Sequence, residues 1–177
     1  MRKAYIDAIG MYVPENVVTN QDLEKLMDTS DEWIRERSGI KERHHVDGEC
    51  TTDLALKAAE EALEKAGMQA EDVEHIIFST MASDYFAPGG GPMMTRRLGI
   101  PGTPALDIRM ACSGFLYGLS VSKAFIESGA YNNILLITSE VQSVALDFTT
   151  RGRDTAVLFG DGAAATVIKA TDEDRGL

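Results

Sequence analysis

A cysteine placed where a strand gives way to a helix is the most chemically loaded feature of this sequence. Residues 107–115 read as the end of a buried strand, one tight turn, and a helix with Cys112 at its first residue. A thiol there meets unpaired backbone N–H groups and the positive end of the helix dipole. Both favour thiolate over thiol, so Cys112 is a candidate nucleophile. The competing reading is a packed structural thiol, because free cysteine is among the most buried residue types. Trp33 is the only tryptophan, and Arg37 follows four residues later on the same helix face. A flat ring beside a guanidinium suits a stacked heteroaromatic ligand, and equally a residue packed on the core. Arg151-Gly152-Arg153-Asp154 sets two guanidinium groups in one loop. Such a loop is either solvated or an anion site, since arginine grips phosphate with parallel donors.

Other candidates carry less. Gly89-Gly90-Gly91 lacks phosphate-loop spacing, and no Lys-Ser/Thr follows it. Gly160-Asp161-Gly162 reads as a tight turn. His44 and His45 are neighbours that point to opposite sides of an extended chain, and His75 reads as a satisfied core or edge histidine. No metal site is expected, because zinc needs three or four ligands.

The elements that must hold these residues follow from periodicity. Residues 4–13 read as a strand stopped by Pro14. Asn20 is expected to cap a short helix running to Met27. Thr29 and Glu32 have capping-box spacing for a second helix over 30–37, closed by Gly39. Leu54, Ala55, Ala58, Ala59, Ala62, Leu63 and Ala66 make one apolar stripe of a helix over 53–66, capped by Thr51 or Thr52 and stopped by Gly67. Strands follow at 73–80, 104–108, 133–138 and 163–170. Helices are expected at 93–98 and from Cys112 to Gly129. The run 133–138 is continuously apolar, as in a parallel strand buried on both faces. Strands alternating with helices give an α/β fold with a mostly parallel sheet covered on both faces.

Composition sets limits. The chain has 177 residues, 44% hydrophobic and 25% charged, enough for one domain with a core. The net charge of -11 argues against nucleic-acid binding over the general surface, but not against one basic pocket for a phosphorylated small ligand. Cys50 and Cys112 lie in unlike settings and make no disulfide framework. No signal peptide or membrane-spanning run is visible, so the cytoplasm is the expected location.

Together, Val18-Thr19-Asn20, the run 28–34 ending in Trp33-Ile34, Gly39-Ile40, Ala111-Cys112-Ser113-Gly114-Phe115, Arg151-Gly152 and Leu158-Phe159-Gly160-Asp161-Gly162-Ala163 resemble β-ketoacyl-acyl-carrier-protein synthase III, of the thiolase superfamily. The resemblance implies a thiolase-like α/β fold, here one half of its αβαβα sandwich with a five-stranded sheet. It implies that Cys112 takes an acyl group from acyl-CoA as a thioester, for condensation with malonyl-acyl-carrier protein. Trp33 matches the ring that stacks on the CoA adenine, with Arg151 on the other side. Thr29 matches an adenine contact, Arg37 an arginine near the phosphates, and Gly152 shares the Arg151 loop. CoA thioester is then substrate, and no cofactor is implied.

Two departures qualify this. Ala87 stands before Pro88 where the family commonly has a phenylalanine lining the partner subunit's acyl pocket, which leaves longer chains or polyketide-type products open. Family members are also nearly twice as long, and their second half supplies a histidine and an asparagine for decarboxylation. Residues 1–170 are expected to be the N-terminal domain and 171–177 a linker stump. The reading therefore calls for a C-terminal half or second condensing-enzyme chain, a homo-oligomer such as a homodimer, or a non-catalytic role as a half-length partner. A truncated fragment is the remaining reading.

Overall fold

Residues 134–137 are all aliphatic and all buried, and they form the middle of a five-stranded sheet. The computed structural model describes residues 2–174 and 176–177. Expectations that fell on Met1 and Arg175 lie outside them. In chain order the elements are β1 (Lys3–Tyr12), β2 (Asn16–Thr19), α1 (Asn20–Glu24), α2 (Asp31–Ser38), β3 (Glu42–His45), α3 (Thr51–Ala66), β4 (Ile76–Ser79), α4 (Gly90–Arg97), β5 (Ala105–Ile108), α5 (Gly114–Glu127), β6 (Asn133–Glu140), α6 (Arg153–Ala156) and β7 (Gly162–Thr171). They fall into two units. The first is Met1–Tyr12, Thr51–Glu140 and Ala163–Leu177; the second is Val13–Cys50 and Val141–Gly162.

In the first unit the sheet order is β1-β7-β6-β4-β5. β4 pairs parallel with β5 and with β6. β7 runs the other way: it is antiparallel to β1, and its Ala170 N–H bonds Asn132 O while Ala164 O accepts from Thr138 Oγ1. Side chains alternate across the sheet. Ile134 and Leu136 join Ala4, Ile77, Ile126 and Ile168 in a cluster under α5. Leu135 and Ile137 take the opposite side, where α3 packs and Ser139 Oγ donates to Thr51 O. Helices on both faces, α5 on one and α3 with α4 on the other, make this an αβα layer, as the alternation of elements predicts. The tail is more tied down than a linker: β7 reaches Thr171, and the Leu177 N–H bonds Ala4 O.

The alanine stripe of α3 lets this helix lie against β1 at van der Waals limit. At Gly10 a Cβ would fall 2.3 Å from Ala58 O and 2.4 Å from Ala62 N. The triple glycine has a packing reason of the same kind. A Cβ at Gly90 would enter the Phe78 ring, and one at Gly91 would meet Ala105 and Asp107, whose carboxylate accepts the Gly91 N–H at 2.6 Å. The α3 start departs from expectation. Neither threonine caps it through its own side chain position in sequence; instead Asp84, from a distant loop, accepts the N–H groups of Thr51 and Thr52 and the Thr52 hydroxyl.

His75 sits just before β4 and is 5% exposed. It stacks on Tyr131 at 4.5 Å and meets Phe125 edge-on. Unlike the satisfied histidine expected, neither ring nitrogen has a hydrogen-bond partner among the described residues. Burial holds its pKa below 6.5. The native state therefore keeps it neutral while the unfolded chain takes up a proton, so stability should be lost as pH falls through 6.5. Urea unfolding at pH 7.5 and 5.5 should show a larger loss for the wild type than for His75→Phe. Equal losses would remove His75 as the cause.

The second unit holds the β2–β3 antiparallel pair with α1, α2 and α6 around Leu23, Met27, Ile34, Ala156 and Val157. Its caps lie one residue from those expected. Thr19 caps α1, with a reciprocal bond to Asp22, and α1 ends at Glu24 rather than Met27. Asn20 is buried inside it, donating to Asp31 and Ile40 O. Ser30, not Thr29, caps α2 by accepting the Trp33 N–H, and Gly39 closes it at φ 76°. The Thr19 and Lys25 contacts hold the Asp22 carboxyl well below the usual carboxylate range.

Candidate active site

Cys112 lies beyond the carboxyl end of β5, the rim where open parallel sheets hold their ligands. It is not the first residue of the helix, as expected, but the centre of a 3₁₀ turn, Ala111–Ser113, and α5 begins at Gly114. Ala111 is the only described non-glycine residue with positive φ, at 46°, so the chain turns sharply just before the cysteine. Two glycines seat the helix start. A Cβ on Gly114 would sit 2.0 Å from Ser79 Oγ, and one on Gly118 2.4 Å from Leu136. Cys112 is exposed and free, unlike a packed structural thiol. No side chain caps α5; the Gly114 N–H bonds Ala111 O and the Ser113 N–H bonds Met110 O. Leu106, Met110, Phe115, Leu116 and Tyr117 are all exposed around it.

The second unit contains a cavity of about 530 Å³ lined by Trp33, Ile34, Arg37, Ser38, Arg153, Asp154, Val157 and Leu158. Two guanidinium groups stand over the Trp33 ring, those of Arg37 and Arg153, each 4.3 Å from its centroid. The i,i+4 spacing on α2 explains the first. The second comes from the loop that also carries Arg151, the residue the resemblance sets on the far side of the adenine. Arg151 is 89% exposed and bonds Asp147 through Nε and Nη2 at 2.9 and 2.8 Å. The Thr149 hydroxyl and then Arg151 hold the Asp147 carboxyl below its ordinary value. Gly152 is explained by packing, because a Cβ there would fall 2.1 Å from Asp147 O. Arg153 is held by Asp28 O at 3.0 Å and by Asp154 at 3.6 Å. Thr29 presents a buried hydroxyl with no hydrogen-bond partner among the described residues.

Sequence reasoning singled out the arginine loop and Arg151, but not the contact of Arg153 with the Trp33 ring. It also passed over two buried charges. Asp161, read as part of a turn, accepts the N–H groups of Val46, Gln142 and Ser143 and the Ser143 hydroxyl. Arg43, within β3, is only 5% exposed and donates to Val18 O and Val157 O. Burial lowers its pKa from the free value. Among the described residues, no group of three or more His, Cys, Asp or Glu could hold a metal ion, and no helix is long and apolar enough to cross a membrane.

Comparison with known proteins turns on the cysteine region. The family model for 3-oxoacyl-[acyl-carrier-protein] synthase III matches residues 106–177, which include the Cys112 turn, α5 and β7. The β-ketoacyl-[acyl-carrier-protein] synthase III of Chlamydia caviae is 50% identical over 169 residues, 95% of this chain and 50% of that protein. The chain belongs to the synthase III family. The crystal structure of the Aquifex aeolicus synthase III superposes with a TM-score of 0.92 at 43% identity, covering 96% of this chain and 55% of that one. The priming β-ketosynthase of the R1128 polyketide pathway gives 0.92 at 29% identity, covering 97% and 51%. The fold is thus thiolase-like, and this chain spans about half the length of the synthase III relatives it matches.

Proposed function

We propose that this chain provides the acyl-accepting half of a synthase III-type condensing enzyme of fatty-acid biosynthesis. The observation that carries the reading is the exposed Cys112 in a sharp turn before an uncapped helix N-terminus. The Cys112 thiolate attacks the thioester carbonyl of an acyl-CoA. A new C–S bond forms, the oxyanion is stabilised by backbone N–H groups at the helix tip, and the CoA thiolate leaves and takes up a proton. The Trp33 cavity suits the nucleotide end of CoA, with an apolar ring for the base and Arg37 and Arg153 for phosphate. The resemblance assigns Thr29, Arg151 and Gly152 to the same site, although none of the three lines the cavity. CoA thioester is the substrate, and the reading uses no bound cofactor.

Condensation with malonyl-acyl-carrier protein calls for a histidine and an asparagine that no residue here matches. The exposed apolar side chains around Cys112 support a second half or second chain covering them, because soluble proteins seldom leave such a patch bare. The chain alone is therefore expected to acylate without condensing.

Incubation with acetyl-CoA followed by intact-mass measurement should give one acyl adduct, absent in Cys112→Ala. No adduct on the wild type, even with a C-terminal half supplied, would leave only a structural role. The nucleotide site has a separate readout. Trp33→Ala should weaken CoA binding roughly tenfold or more, the size expected for a lost stacking anchor. Unchanged affinity in a titration would rule out stacking at this ring.

A further inference from the structure

Arg43 is a buried cation with no carboxylate partner among the described residues. Both of its bonds run to backbone carbonyls: Nη1 to Val18 O at 3.2 Å and Nη2 to Val157 O at 2.9 Å. Its Nε has no hydrogen-bond partner among the described residues. Burying a guanidinium costs free energy unless what it holds is worth holding in place. Val157 is the residue that closes α6. Its N–H donates to Arg153 O at 3.2 Å, and its side chain lines the Trp33 cavity. The Arg43 guanidinium and the Arg153 carbonyl are therefore both bonded to the backbone of Val157, one at its C=O and the other at its N–H. The Arg153 side chain lies over Trp33.

We infer that Arg43 is a positioning residue for the nucleotide cavity: by gripping Val157 O it fixes the end of α6 and so holds Arg153 over the Trp33 ring. A cation at the carboxyl end of a short helix also suits the helix dipole. The fork geometry matters, because Val18 O and Val157 O need two donors in one plane, which lysine does not offer. The link from Arg43 to Arg153 stands on the structure alone; its importance for ligand rests on the reading of the cavity as a CoA site.

The test uses Trp33 as its own reporter, since it is the only tryptophan. In the ligand-free protein, Arg43→Met should shift Trp33 emission in the same direction as Arg153→Ala. Arg43→Met added to Arg153→Ala should give little further shift, because both act through one contact. Equal shifts in the two backgrounds, or no shift in either, would overturn the inference. CoA affinity should fall roughly tenfold in Arg43→Met, the size of a lost hydrogen bond to a charged group. It should fall sub-additively with Arg153→Ala, and strict additivity would again overturn it. If the wild type binds no CoA, the cavity reading fails while the emission cycle still decides the link to Arg153. If Arg43→Met is not recovered folded, the same cycle is run with Arg43→Lys, which keeps the charge but cannot span both carbonyls.

Discussion

Asp161→Ala should cost about 4 kcal/mol of stability, from orphaned backbone N–H groups at roughly 1–3 kcal/mol each. The carboxylate is 5% exposed and accepts four hydrogen bonds of 2.5–2.9 Å. Three of the donors are backbone N–H groups, from Val46, Gln142 and Ser143, which belong to two separate stretches of chain. Removing the acceptor takes the carboxylate from a buried N–H at Ser143 and from partly buried ones at Val46 and Gln142. Asp161→Asn should lose nearly as much, since its NH₂ would face N–H groups that need an oxygen. Denaturant unfolding followed through Trp33, which lies in the same unit, measures both. A loss under about 1 kcal/mol for Asp161→Ala would show that this carboxylate is not what ties the two stretches together.

The second large effect is expected at Gly10→Ala. One methyl would sit 2.3 Å from Ala58 O and 2.4 Å from Ala62 N, and both obstacles are helix backbone. Backbone cannot rotate away as a side chain can, so α3 must lift from β1 or the strand must bend. Overpacking usually costs 1–3 kcal/mol, and a clash with main chain belongs at the upper end, about 3 kcal/mol. Thermal unfolding should show a drop of about 6–12 °C for a domain in this size range. A shift within error would mean that α3 and β1 are less closely apposed than described.

Much of the frame was legible because it rests on local pattern. The α3 stripe, the aliphatic run of β6, and the glycines closing α2 and α3 each encode their element in a few neighbouring residues. So did the strand-turn-helix around Cys112, although periodicity could not separate a 3₁₀ turn from the helix it leads into. What escaped was carried by contacts between residues far apart in sequence. The β2–β3 pair shows no apolar alternation, and β3 reads Glu-Arg-His-His. Arg151 and Arg153 are alike in type and two residues apart. Only the placement of Asp147 and Asp28 decides which one leaves for solvent and which lies on the ring. Asp161 and Gly10 matter because of the backbone they touch, and nothing beside them in sequence announces it.

The carboxylate of Asp84 ties the first turn of α3 to the loop that carries Tyr85 and Phe86, whose ring is 99% exposed. A helix start and a bare aromatic tip thereby share one fastening. Loss of the Asp84 carboxylate would therefore loosen the loop and the first turn of α3 together.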